Sequence, residues 1–271
     1  MRNRLAIIGL CLIILFTLTA ALAPIIAPYD PSEQNLFEGL KGPGKKHILG
    51  QDRLGRDILS RIIYGSRVSL QVGIMAVGIS LLIGLIVGSV SGYFSGFIDN
   101  LFMRIADILL AFPGILLAIG ITAVMGPSLT NVILALSVIS WVGYARLIRG
   151  QILSAREYEY VSAARAIGAS HFRIIVRHIL PNIIAPMLVQ ASLGMAGAIT
   201  AEAGLSFLGL GTQPPTPSWG SMLNEGRNYL LVAPHLTTFP GLAIMIVVMA
   251  FNFLGDGLRD IWDVKERIKN P

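Results

Sequence analysis

The sequence is short of charge. Only 13% of its 271 residues are Asp, Glu, Lys or Arg, against about 25% in an ordinary soluble domain. It has one cysteine, Cys11, set inside an apolar run, so it offers no disulfide and no cysteine metal cluster. Its four histidines, His47, His171, His178 and His235, show no metal-ligand spacing such as HExxH. No GxSxG nucleophile elbow occurs. A phosphate loop is missing too. Gly39 to Lys46 fits GxxxxGK, but Lys46 stands where Ser or Thr would hold magnesium, and no strand leads into it. These absences argue against zinc hydrolase, serine hydrolase and nucleotide-binding chemistry, and against a soluble fold.

What the sequence has is apolar length. Hydrophobic residues make up 54% of it, and the mean hydropathy is +0.70. Six apolar segments stand out, at 5–27, 68–94, 101–124, 130–149, 183–208 and 239–258. Each can cross a hydrocarbon core of about 30 Å as a helix. Inside lipid the backbone must bond to itself, so helices are expected for all six. The predicted fold class is an all-α membrane protein with six transmembrane helices. The first span resembles a secretory signal, with Ala21-Leu22-Ala23 as a cleavage site. The apolar run continues to Ala27 and Pro24 would follow the cut, so an uncleaved span is expected.

An even number of spans puts both termini on one side. The net charge of +6 points to topology and lipid headgroups rather than nucleic acid, because the basic residues lie in short stretches between apolar runs. Cytoplasmic termini would place the larger share of the 21 basic residues inside. That share includes Arg2, Arg4, Arg104, the arginines at 146, 149, 156, 165, 173 and 177, and Arg259, Lys265, Arg267 and Lys269. The first outer loop, 28–67, carries a competing group of lysines and arginines. Its second half has Leu54, Ile58, Ile62 and Ile63 at helical spacing, which predicts an amphipathic helix lying on the membrane surface. The chain is therefore divided into 1–67, the first span with an outer amphipathic segment, and 68–271, a core of five spans.

Gly84, Gly88 and Gly92 form a small-xxx-small ladder in the second span, suited to close approach of another helix. Between the last two spans, Pro214, Pro215 and Pro217 forbid a regular helix. Residues 218–233 then read as a short interfacial helix anchored by Trp219 and Tyr229. Arg104 and Asp107, three residues apart, are expected to pair with each other.

The most informative stretch is EYEYVSAARAIGASHFRIIVRHILPN, residues 157–182. It is too polar to span and too regular for a linker. Val161, Ala164 and Ile167, then Phe172, Ile175 and Ile179, recur at helical spacing. Gly168 is placed to cap the first short helix, and Pro181 to stop the second before the fifth span. By periodicity alone such a loop either lies on lipid or docks a partner.

Ser162-Ala163-Ala164, then Gly168, then His178-Ile179-Leu180-Pro181 resembles the EAA loop of importer permeases of the ATP-binding-cassette superfamily. Ser162 stands where glutamate is usual, and His178 where isoleucine is usual. Both departures resemble the variant of the peptide and nickel branch. Residues 47–70, 98–113, 204–223 and 251–260 are similar to segments of that branch in the same order. The resemblance implies the type I importer permease fold and a C-type subunit for dipeptides, oligopeptides or nickel, in a bacterial or archaeal cytoplasmic membrane. It implies a second homologous permease, two ATPase subunits that hold ATP and magnesium, and an extracytoplasmic binding protein. No cofactor is expected on this chain. The coupling residues so implied are Glu159, Val161, Ser162, Ala163, Ala164, Ile167, Gly168 and Pro181, whose movement would tilt the spans on either side.

A charge at membrane depth is costly and is read as functional by default. Glu202, in the fifth span, has two readings. It faces the pore and meets a cationic group of the cargo, or it holds the bend from Ser206 to Gly211 by hydrogen bonding. Two other classes fit less well. A stand-alone secondary transporter calls for mid-membrane ion sites, for which Glu202 is the one clear candidate, and usually for an internal repeat, which is not evident. A membrane enzyme lacks its catalytic motif.

Overall fold

The computed structural model describes the backbone of residues 2–269 and the side chains of 4–261. Of the charges used to orient the chain, the side chains of Arg2, Lys265, Arg267 and Lys269 lie outside the described residues. The elements follow in order: α1 (Arg2–Ala21), α2 (Ala23–Ile26), α3 (Ile58–Phe94), α4 (Gly96–Leu110), α5 (Gly114–Met125), α6 (Leu129–Ala155), α7 (Glu159–Ala166), α8 (His171–Arg173), α9 (Leu180–Phe207), α10 (Trp219–Gly226) and α11 (His235–Lys269). A π-helical turn, Ile174–Ile179, joins α8 to α9 without a break. Among the described residues, five helical runs are long and apolar enough to cross a membrane, or six if the bent pair α4 and α5 counts as one span.

Four sequence-based expectations change. The third span is not one helix, because α4 and α5 meet at 84°. Pro113 lacks an N–H and disfavours helical backbone at Phe112, so the helix ends there. The outer amphipathic segment does not lie flat either. From Ile58 onward it is the first part of α3, a single helix of 37 residues, and the 67/68 division falls inside it. Ile58 and Arg61 are buried there, so this end packs on protein rather than on the membrane surface. Its start is fixed by Asp57, whose carboxylate accepts from the Ser60 N–H at 2.7 Å. Trp219 is no interfacial anchor. It is buried, stacks near Phe16 with ring centres 5.9 Å apart, and donates from Nε1 to the Ile62 carbonyl at 3.0 Å. Finally, Asp107 pairs with Arg146 of α6, not with Arg104 one turn away.

Packing of the spans rests on small residues. A Cβ at Gly84 would lie 2.5 Å from the Tyr144 Cβ, one at Gly88 2.6 Å from the Ala145 carbonyl oxygen, and one at Gly92 2.9 Å from that of Arg149. The ladder therefore faces α6 along three turns. Lipid gives helices no hydrophobic drive to associate, so close backbone approach and dispersion must supply it. α1 meets α11 in the same way, through Gly9 against Ala250 and Gly257 against Ala6. Arg149 adds a two-pronged ion pair to Asp99 of α4, at 2.5 and 2.6 Å.

Gly88→Val is expected to cost about 1–3 kcal/mol through overpacking against α6. It should lower the unfolding midpoint in detergent by several degrees. Gly78→Val, at a site with nothing within 4 Å of the added carbon, is the comparison and should leave the midpoint close to its original value. Equal shifts in both would reject the α3–α6 contact.

Candidate functional site: the loop at 157–182

The loop folds because each of its breaks has a local cause. Glu159 sits in the first turn of α7, where a carboxylate suits the helix N-terminus. α7 ends at Gly168, which takes φ +77°, a left-handed conformation open to glycine at little cost. The Ala169 N–H then donates to the Ala164 carbonyl at 3.1 Å and the Gly168 N–H to that of Arg165, also at 3.1 Å. Both bonds close the helix end in a Schellman pattern. Ser170 restarts the chain, its hydroxyl accepting from the Arg173 N–H at 3.4 Å.

Pro181 does not stop the second helix, contrary to expectation. α8, the π turn and α9 run on as one 37-residue helical stretch, 171–207. Pro181 falls in the first turn of α9, where a missing N–H is tolerated. The π turn takes up the extra residue ahead of it, with the Leu180 N–H reaching the Ile175 carbonyl. The Asn182 side chain ties the two halves together, donating to the His178 carbonyl at 2.7 Å and to the Tyr160 hydroxyl at 3.1 Å. Burial holds the Tyr160 phenol above its ordinary pKa, with a smaller contribution from Tyr158.

The periodic apolar residues do not share one face. Val161, Ala164, Ile174 and Ile179 are buried in a cluster with Ile148, Ile152 and Ala155 of α6 and Tyr93 of α3. Ile167 and Phe172 point outward, 86% and 77% exposed, on either side of the Gly168 turn. Glu159, Ser162, Ala163, Gly168 and Pro181 are exposed as well. The loop thus has an inner face clamped to α6 and α3 and an outer face with two large apolar side chains that no described residue covers. Isolated exposed hydrophobics are ordinary, but a pair at a rigid turn has the form of a docking knob.

Residues that periodicity could not find strengthen the inner grip. The Tyr93 hydroxyl lies 2.9 Å from His171 Nδ1, with the rings edge-on at 5.4 Å. Arg156, just after α6, donates to the Gly92 carbonyl at 3.2 Å and to the Ser95 hydroxyl at 2.5 Å. The loop therefore holds the end of α3 as well as its sequence neighbours α6 and α9. The only sequence sign was the presence of polar groups at the end of an apolar run.

Glu202 is fully enclosed, and its Oε1 accepts from the Ser206 hydroxyl at 2.6 Å. Ser206 in turn crowds Gly211, where an added Cβ would meet the hydroxyl at 1.9 Å. At the same end of the chain, Asp52, Arg56, Arg61 and Glu225 form a largely buried ion cluster. Arg56 reaches Asp52 at 2.6 Å and Glu225 at 2.5 Å, and Arg61 reaches Glu225 at 3.2 Å.

This architecture has close counterparts. Residues 80–268 match the family described as binding-protein-dependent transport system inner membrane component. The chain belongs to that family. Residues 1–43 also match the N-terminal transmembrane domain of oligopeptide transport permease C. The chain is 48% identical over 264 residues to the dipeptide transport system permease protein DppC of Alkalihalophilus pseudofirmus, covering 97% of this chain and 87% of that one. It is 47% identical over 265 residues to the glutathione transport system permease protein GsiD of Escherichia coli, covering 97% and 88%. In structure it is similar to a chain of the MetNI methionine ABC transporter in an inward-facing form, with a TM-score of 0.57 over 74% of this chain and 96% of that one at 20% identity. That likeness supports the type I importer permease fold. Membership makes the chain a multi-pass permease subunit without enzyme chemistry, working with ATPase and substrate-binding partners.

Gly168 offers a test in which conformation and size separate. Gly168→Val should cost about 1–2 kcal/mol because a branched side chain resists φ +77°, and it should sharply reduce ATP-driven uptake. Gly168→Asn, which tolerates that conformation, should keep most uptake, since the site has open space around it. Uptake lost equally in both variants would show that the turn's conformation is not what matters.

Proposed function

We propose that the chain forms half of the pore of a peptide importer and receives the ATPase stroke through residues 157–182. The observation that carries this reading is the two-faced loop, with Ile167 and Phe172 outward and Val161, Ala164, Ile174 and Ile179 locked to α6 and α3. The outer residues Glu159, Ser162, Ala163, Ile167 and Gly168 meet a groove on an ATPase subunit, and the inner face carries the movement into the spans. Ser162, where a carboxylate is usual, contacts the ATPase as a neutral hydroxyl.

The remaining assembly follows from the same reading. The pore is completed by a second homologous permease. Two ATPase subunits hold ATP and magnesium, and a binding protein delivers cargo at the opposite face. The loop and both termini lie in the cytoplasm, in a bacterial or archaeal cytoplasmic membrane, with lipid around the spans and no nucleic acid partner. Peptides are favoured over nickel because the two relatives named above are described as dipeptide and glutathione permeases. Glu202 braces the outer bend and takes no direct part in cargo contact, a role supported by its full burial and its bond to Ser206.

Mild-detergent extraction of the tagged chain, followed by mass spectrometry, is expected to recover a second permease and an ATPase subunit. Ile167→Asp with Phe172→Asp should remove the ATPase while retaining the second permease, because both positions are exposed and carry no load in this fold. Recovery of the ATPase at the original level with the double variant would exclude the loop as the docking site.

A further inference from the structure

α3 is longer than the membrane requires. At about 1.5 Å per residue, its 37 residues extend about 55 Å, against a hydrocarbon core of about 30 Å. Both of its overhanging ends are tied to other elements by polar contacts. At one end, Tyr93 meets His171 of the loop at 2.9 Å, and Arg156 reaches the Gly92 carbonyl at 3.2 Å. At the other, Trp219 lies over Gly65, where an added Cβ would meet the indole at 2.8 Å, and it donates to the Ile62 carbonyl at 3.0 Å. Arg61, 2% exposed, pairs there with Glu225 of α10. Along its second half the Gly84, Gly88 and Gly92 face is pressed on α6, which holds the helix closely.

We infer that α3 is a transmission rod, with Tyr93 and Trp219 as its positioning residues, connecting the loop to the cap formed by residues 50–57 and α10. The cap is at the opposite end of the chain from the loop, on the side where a binding protein would dock. The inference rests on the proposed docking role of the loop and adds a direction to it. The stroke does not stop at the spans adjoining the loop in sequence, α6 and α9. It passes along α3 to the cap, and a protein bound at the cap signals back by the same route, since coupling between two sites is reciprocal. A helix is suited to this because its hydrogen bonds run along its axis, and a rod fixed at both ends moves both ends together.

The test uses the complete importer in lipid vesicles, with ATP hydrolysis measured with and without its cargo-loaded binding protein. Tyr93→Phe removes the hydroxyl bond to His171 and leaves the buried ring. Trp219→Phe removes the indole donor at the other end. Each variant should lower stimulation by the binding protein about fivefold, the lower end of ordinary coupling between sites, with basal hydrolysis and complex assembly retained. The double variant should be no worse than the more impaired single one, because a rod cut twice transmits no less than a rod cut once. Losses that multiply in the double variant would overturn the rod, as would full stimulation in both single variants. If Trp219→Phe disturbs folding, hydrogen exchange of 219–226 on adding a non-hydrolysable ATP analogue replaces it. The exchange should respond in the unaltered importer and not in Tyr93→Phe, and an identical response in both overturns the inference. Loss of the ATPase subunit from the unaltered complex would instead count against the docking reading itself, so the two failures are distinguishable.

Discussion

The contact on which this fold depends is the face of α3 made by Gly84, Gly88 and Gly92. In water, two amphipathic helices associate because apolar surface leaves solvent. In a bilayer the lipid tails are as apolar as leucine, and that drive is gone. What remains is contact quality, and it rises steeply as backbones approach. Three glycines in register let α6 approach until its Tyr144, Ala145, Ile148 and Ile152 fill the space where side chains would stand. The same α6 ends directly in the loop, and Ile148, Ile152 and Ala155 supply the floor on which Val161 and Ala164 rest. A poor α3–α6 fit would leave the loop without a fixed base, and motion imposed on its outer face would dissipate locally.

Charge in the membrane segments is handled by a second constraint, that each group must find a partner before it is buried. Arg149 finds Asp99, Arg146 finds Asp107, Arg61 finds Glu225, and Glu202 finds Ser206. Only the last partner is near in sequence. The three arginine pairs join different helices, so these charges also act as cross-links, whether buried, as Arg61 is, or half exposed, as Arg146 and Asp107 are. Removing Glu225 would leave Arg61, 2% exposed, without that partner, and loss of a partner from a buried charge typically costs about 3–5 kcal/mol.

The sequence made legible whatever depends on neighbours along the chain. Apolar run lengths located the spans, the glycine ladder marked a packing face, and Gly168 marked a turn that takes φ +77°. It misled where a local rule met a distant partner. Leu54, Ile58, Ile62 and Ile63 have the spacing of a surface helix, but Trp219 and Glu225, more than 150 residues on, cover that segment and turn most of it into the start of a span. Arg104 and Asp107 have the spacing of an ion pair, but Arg146 is closer to the carboxylate in three dimensions. Pro181 has the look of a stop, and a π turn just ahead of it absorbs the mismatch instead. The split of the loop's apolar residues into two faces was equally hidden, because helical spacing does not say that Gly168 rotates the second helix relative to the first.

That rotation gives the loop its two faces. A single continuous amphipathic helix would put all its apolar residues on one side, so it could bind its own spans or a partner, not both. Interrupting it with a left-handed residue turns the helical phase between α7 and α8. Val161 and Ala164 then face inward together with Ile174 and Ile179, while Ile167 and Phe172, nearest the interruption, are left outside. The inner set fixes the loop to α6 and α3, so force applied to the outer set is not lost in bending. The position of the glycine therefore decides how many apolar side chains remain available to a partner. Moving it one turn in either direction would bury the knob or loosen the base, and a loop in this fold needs both.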